Sequence, residues 1–224
     1  ISNAAIGWGD NVQLTVTGGV EVSSGALYLG TNTQLDCGGD LTLRSAYWGL
    51  GRESQVTCGG NLTMLSSSVL HLTWYSNDEH QAYGARLAMT GDVTLAVSNW
   101  IYPSGANAVF TMRHLTLATN SGFNADERGF PGVISSTGKG LGKGFYAGGG
   151  GGHGGRGGNT ASGNTGGSTN DIPGQPQFCG SSGGGAVYST RGGLGGGMIR
   201  IQARGTVGLD GTLTANGGRG GLYE

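Results

Sequence analysis

The chain holds 224 residues, 51 of them glycine, and its 12 Lys+Arg against 13 Asp+Glu leave a formal net charge of −1. That length fits one domain, and so neutral a surface excludes a basic footprint for DNA or RNA and a polybasic patch for anionic lipid. No apolar run approaches the length of a membrane span, and no charged-then-apolar leader stands at Ile1, so a secretion signal is expected upstream or already removed.

In chain order, the first recurring unit is Gly18-Gly19-Val20-Glu21-Val22. It returns as Gly38-Gly39-Asp40-Leu41-Thr42-Leu43, Gly59-Gly60-Asn61-Leu62-Thr63-Met64 and Thr90-Gly91-Asp92-Val93-Thr94-Leu95, then loosely as Arg113-His114-Leu115-Thr116-Leu117. The steps between Val20, Leu41, Leu62, Val93 and Leu115 are 21, 21, 31 and 22 residues. Leu35, Val56, Leu87 and Phe110 are each followed two residues later by Cys37, Cys58, Met89 and Met112. Short alternating strands broken by Gly, Asn and Asp at such a period predict a solenoid.

Each coil reads as three strands, for instance Leu41 to Arg44, a segment around Tyr47 to Leu50, and Gln55 to Cys58. Alternation turns Leu41, Leu43, Val56 and Cys58 inward and Thr42, Gln55 and Thr57 outward. A hairpin meander would need tight two-residue turns and a shorter period. The predicted fold is therefore all-β, a right-handed parallel β-helix. Cys37 and Cys58 fall at one place in consecutive coils and read as a buried column of soft side chains, with a disulfide or a metal site as the alternative. Stacked parallel strands would hold their Cα atoms about 4.8 Å apart, short for comfortable bridging.

The coil between Met64 and Met89 is longer by about ten residues, and the excess lies between His71 and Ala85. Insertions in repeat proteins map to loops on one side and often form the binding surface. Trp48, Trp74 and Trp100 are spaced 26 and 26 residues apart, with Tyr47, Tyr75 and Tyr102 close by. Flat aromatic faces beside polar groups suit pyranose rings. Trp48 and Trp100 fall seven residues after Leu41 and Val93, where Leu27 and Val69 stand in sister coils, so they read equally as core. Trp74 and Tyr75, among polar neighbours, are expected at the surface.

After Leu117 the period dissolves. Residues 122–197 are expected to form a glycine-rich excursion within a single domain spanning 1–224, either as closely packed extended segments or as a mobile loop. Strand-like Met198 to Ala203 and Gly211 to Ala215 then bring the chain back to the solenoid. Its last residues, Gly220-Gly221-Leu222-Tyr223-Glu224, stop without a cap, as a module from a longer protein would.

Catalytic patterns are scarce. Asp78-Glu79-His80 and Asp126-Glu127-Arg128 are the dense charge groups, and neither sits in a calcium-loop motif. The glycine run around His153 and Arg156 lacks GxxxxGK[ST], and the chain has no GxSxG, no HExxH and no histidine spacing suited to a metal. No catalytic residue, metal site or cofactor is expected.

The runs GGDLTL, GGNLTM and TGDVTL, followed by GGGGGHGGRGG and GGGMIRIQARGTVGLDGTLTANGG, resemble secreted bacterial β-helical proteins with glycine-rich insertions, some of them adhesins. Less specifically, they are similar to the β-helical carbohydrate-binding modules attached to bacterial xylan-degrading enzymes. The second resemblance implies a secreted, monomeric, non-catalytic module appended to a catalytic domain, with plant cell-wall polysaccharide as its partner and xylan favoured. No nucleic acid or membrane insertion is expected. The expected ligand-binding set is Trp48, Trp74, Tyr75, Trp100 and Tyr102 for stacking, with Arg52, Glu53, Asp78, Glu79 and His80 for hydrogen bonds. Two rival readings stand beside it: a structural or adhesive segment of a surface protein, and a polysaccharide lyase or hydrolase on the same fold.

Overall fold

The computed structural model describes residues 1–72, 84–105, 108–160, 163, 165–172, 177–186 and 190–221. Every regular element among them is a β-strand. The first coil holds β1 (Ala5–Trp8), β2 (Gln13–Val16) and β3 (Val20–Ser23). The second holds β4 (Ala26–Leu29), β5 (Gln34–Cys37) and β6 (Leu41–Arg44). The third holds β7 (Tyr47–Leu50), β8 (Gln55–Cys58) and β9 (Leu62–Leu65). The fourth holds β10 (Val69–Leu72), β11 (Arg86–Met89) and β12 (Val93–Leu95). The fifth holds β13 (Trp100–Tyr102), β14 (Val109–Met112) and β15 (Leu115–Leu117). The sixth opens with β16 (Gly122–Asn124) and resumes with β17 (Arg200–Ala203) and β18 (Val207–Leu209), before β19 (Thr212–Thr214) starts another.

The first strands of all coils stack into seven-stranded sheet I, β1-β4-β7-β10-β13-β16-β19. The second strands form six-stranded sheet II, β2-β5-β8-β11-β14-β17, and the third strands form sheet III, β3-β6-β9-β12-β15-β18. Neighbouring strands are parallel throughout, as when a chain winds one way around a core. The fold is a parallel β-helix.

The core follows from like stacking on like. Leu14, Leu35, Val56, Leu87, Phe110 and Ile201 pair in register across sheet II. Cys37, Cys58 and Met89 form the next column. Val20, Leu41, Leu62, Val93, Leu115 and Val207 do the same in sheet III. Between its ends the column interior is sealed, while Val207, Leu209 and Leu213 of the last strands are 45, 49 and 42% exposed.

Each corner is made differently. Between sheets II and III stand glycines, because a Cβ on Gly59 would lie 2.4 Å from the Gly38 carbonyl oxygen of the coil below. Between sheets III and I, buried Ser68 and Asn99 replace water as backbone partners. The Ser68 N–H donates to Asn99 Oδ1 at 2.7 Å, and Asn99 Nδ2 donates to the Ala96 carbonyl at 2.9 Å. The corner between sheets I and II carries every large decoration. It holds only Gly9 to Val12 after β1, but residues 73–85 after β10 and 125–199 after β16.

The long excursion thus begins after Asn124, not at Gly122, since β16 takes Gly122–Asn124 into sheet I. Beyond it the solenoid resumes in phase, with β17 paired to β14. Inside the excursion, extended segments bind one another through their backbones: Gly180 N–H to the Gly196 carbonyl at 2.7 Å, Gly195 to Phe130 at 2.9 Å, Gly184 to Gly149 at 2.9 Å. A Cβ on Gly195 would fall within 1.7 Å of the Gly180 oxygen, so only glycine permits this spacing. Phe130, Cys179 and Met198 form a small core of its own.

Candidate functional site

On the outer face of sheet I an aromatic row runs along the solenoid axis. Tyr28 of β4, Tyr47 of β7, His71 of β10 and Tyr102 of β13 follow one another with ring centroids 5.5, 6.0 and 4.9 Å apart. The last two steps are stacked, at 22° and 25° between planes, and Trp100 joins Tyr102 at 6.4 Å. Strand alternation places them outward. Their neighbours Leu27, Trp48, Leu70 and Ile101 form the inward column of the same strands. Gly49 gives the first two rings room to lie on the sheet, since a Cβ there would stand 3.1 Å from Tyr28 and 3.3 Å from Tyr47.

Arg128, from the first turn of the glycine-rich excursion, closes the row with its guanidinium carbon 4.7 Å from the Tyr102 ring centroid. Its Nη1 donates to Ser104 Oγ at 3.1 Å, and its carbonyl accepts from Gly105 N–H at 2.7 Å. The cation is fixed over the ring at both ends, an arrangement favourable for cation–π attraction. Burial, aided by the Arg128 charge, holds the His71 imidazole below its ordinary pKa, so it is neutral near pH 7. Burial and the neighbouring Tyr28 push the Tyr47 phenol up. Tyr28, at the other end, is 47% exposed and the most open ring of the row. The face therefore combines apolar ring surface, phenol hydroxyls and one cation along a line of strands spaced about 4.8 Å apart.

The expected residues divide three ways. Trp100 and Tyr102 lie in the row. Trp48 does not: it is 0% exposed, in the core between Leu27 and Leu70, and offers no stacking surface. Its offset from Trp100 arises at the corner, where seven residues separate Leu41 from Trp48 but eight separate Val93 from Ile101. One extra residue turns Trp100 to the opposite face. Arg52 and Glu53 sit in the corner directly after β7, with Arg52 exposed and Glu53 at φ 60°. Trp74, Tyr75, Asp78, Glu79 and His80 lie outside the described residues. In the sequence they follow β10, the strand that carries His71.

Tyr28, Tyr47, His71 and Arg128 were not among the expected site residues. The signal for the first three was their place one residue from an inward leucine or tryptophan, where outward aromatics recur in successive coils. Arg128 had no such signal, because it reaches the row through the fold of the excursion. Its neighbour Asp126 works as a corner cap, accepting from the Asn216 N–H at 2.6 Å and Nδ2 at 3.0 Å.

A second concavity, a cavity of about 1060 Å³, lies between the excursion and the last coil. Glycine backbone and the apolar side chains of Met198, Ile199, Ile201 and Leu213 make up much of its wall. His153, Ser181, Thr190, Arg191 and Thr214 also line it. Among the described residues no group of three or more His, Cys, Asp and Glu stands close enough to hold a metal ion. The chain matches no protein-family model, no curated protein and no solved structure.

Proposed function

We propose that this chain is a non-catalytic carbohydrate-binding module for plant cell-wall polysaccharide, with xylan the favoured ligand, acting outside the cell as part of a larger secreted protein. The observation that carries the reading is the outward row Tyr28–Tyr47–His71–Tyr102 with Trp100 beside it and Arg128 above Tyr102. Large rings left partly exposed on a sheet contribute less to stability than buried ones, and contiguous apolar patches mark interaction sites. A polysaccharide laid along the solenoid axis would meet one ring per coil, packing on the exposed ring surface with its hydroxyls on the phenols and Arg128.

Affinity electrophoresis against a panel of soluble polysaccharides tests this, with release of reducing ends or unsaturated products followed on the same panel. Retardation by xylan without product supports the module. Product whose rate follows this chain and falls on substitution of Asp126 supports the lyase or hydrolase reading instead. Tyr28→Ala removes the most exposed ring and is expected to weaken binding by about tenfold to hundredfold, the equivalent of about 1–3 kcal/mol, with the melting temperature nearly unchanged. Wild-type retention of Tyr28→Ala and Tyr102→Ala together removes the row from the site.

The structural or adhesive reading draws on two observations of its own. Trp48 is core, and the glycine-rich excursion is packed backbone to backbone, both as a load-carrying segment would have them. Retention by no polysaccharide of the panel favours it.

A further inference from the structure

We propose that Cys37 and Cys58 become joined by a disulfide bond between consecutive coils when the chain folds in an oxidising medium. The two are direct partners of β5 and β8. That register sets their Cα atoms about 4.8 Å apart, at the short end of the span of about 4.4–6.8 Å that disulfides occupy but inside it. Both side chains point into the column, and the Cys37 thiol donates to Cys58 Sγ across 2.8 Å. Neither sulfur has open space to turn into, since the residues are 4% and 0% exposed. Along the same column the neighbours are Val16 and Met89, so the meeting of two thiols occurs at this one step. Cys179 lies apart, in the small core with Phe130 and Met198. The odd count of three thus resolves into a touching pair and a separate single cysteine.

The oxidant is a low-molecular-weight disulfide. One cysteine thiolate attacks a sulfur of that reagent, and the other half of the reagent leaves as a thiolate. The second cysteine then attacks the mixed disulfide, forming the Cys37–Cys58 bond and expelling the remaining half. The two cysteine protons end on the two released thiols, and the reagent takes up the two electrons. Burial pushes the Cys58 thiol far above its ordinary pKa, with the Cys37 contact adding to it. Attack requires thiolate and access, so the exchange belongs to the folding chain, before the column closes.

The full chain, reduced and unfolded, is diluted in parallel into a glutathione mixture of oxidised and reduced forms and into dithiothreitol. Soluble and insoluble product of each arm is denatured without reductant, alkylated with iodoacetamide and digested with trypsin. Arg44 and Arg52 lie between the two cysteines, so cleavage separates them unless a bond holds them together. The glutathione arm is expected to yield a cross-linked Cys37–Cys58 peptide pair, an intact mass lower by two hydrogens, and alkylation at Cys179 alone. The dithiothreitol arm should show three alkylated cysteines, and Cys58→Ala in glutathione should show Cys37 and Cys179 both alkylated. Three alkylated cysteines in the glutathione arm of the wild-type chain, or a bridge from Cys179 to either partner, overturns the proposal.

Discussion

Glu53 occupies the corner position held by Asn11 and Asn32 in the two preceding coils, and all three have left-handed backbone, at φ 60, 59 and 52°. Asparagine tolerates that region, whereas a residue such as glutamate is strained there by about 1–2 kcal/mol. Glu53→Asn is therefore expected to raise stability by about 1 kcal/mol in urea unfolding. Retention of the same variant on xylan then separates a corner role from a ligand contact, because only the second predicts weaker binding. His71 supplies a pH dependence. Its imidazole is held neutral by burial and by Arg128, so the unfolded chain takes up a proton more readily than the folded one. Its contribution to stability is full above about pH 6.5, the ordinary imidazole value, and declines as pH falls below it. Melting curves from about pH 7.5 to about pH 5 should show a smaller loss for His71→Gln than for wild type, and equal slopes would remove His71 from the cause.

At the scale of strands and corners, sequence and structure agree where the repeat is strict. The columns through Leu35 and Leu41 are legible because alternation and glycine-bounded spacing hold from coil to coil. Val56→Asp would leave a buried carboxylate without a partner between Leu35 and Leu87, and should cost at least about 3 kcal/mol in unfolding experiments. Sheet I is less legible because the corner before it changes length. Ser66, Ser67 and Ser68 fill a turn that Ser45 and Ala46 make in the coil before, and periodicity cannot place Trp48 and Trp100 on opposite faces without that knowledge. The longer turns need internal polar partners, which Ser68 and Asn99 provide. Asn99→Ala strands the Ser68 N–H and the Ala96 carbonyl, and should cost about 1–3 kcal/mol. An unchanged denaturation midpoint for that variant would mean that water fills the corner.

Taken whole, the molecule is a stack in which each coil rests on its neighbours, so its stability approximates a sum of nearest-neighbour terms. The excursion hangs from a single corner, and β17 docks on β14 in the register that every other coil uses. Replacing residues 126–198 with a corner as short as Gly30 to Thr33 should leave a cooperatively melting β-helix by circular dichroism. Loss of β-structure beyond the last coil would mean that the excursion supports the solenoid. The excursion's return to the solenoid is legible from Ile199 to Ala203. Its internal order is not, because glycine carries no side-chain pattern from which packing can be read.

The gap between β16 and β17 also bears on how the chain reaches this shape. Within the first five coils, contacts such as Leu14–Leu35 or Leu41–Leu62 join residues 21 positions apart, but Phe110 meets Ile201 across 91. Loop closure grows only logarithmically with length, at about 0.6 kcal/mol per doubling, so roughly two doublings add little more than about 1 kcal/mol. Equilibrium is hardly affected, but timing is, because distant contacts are slow to form. The early coils can zip as neighbours on a short-range nucleus. The sixth must wait while some seventy residues find their glycine contacts. During that wait the upper rim of the fifth coil, Phe110 and Leu115 included, stands open, and that interval is when the chain is most vulnerable to joining another copy of itself.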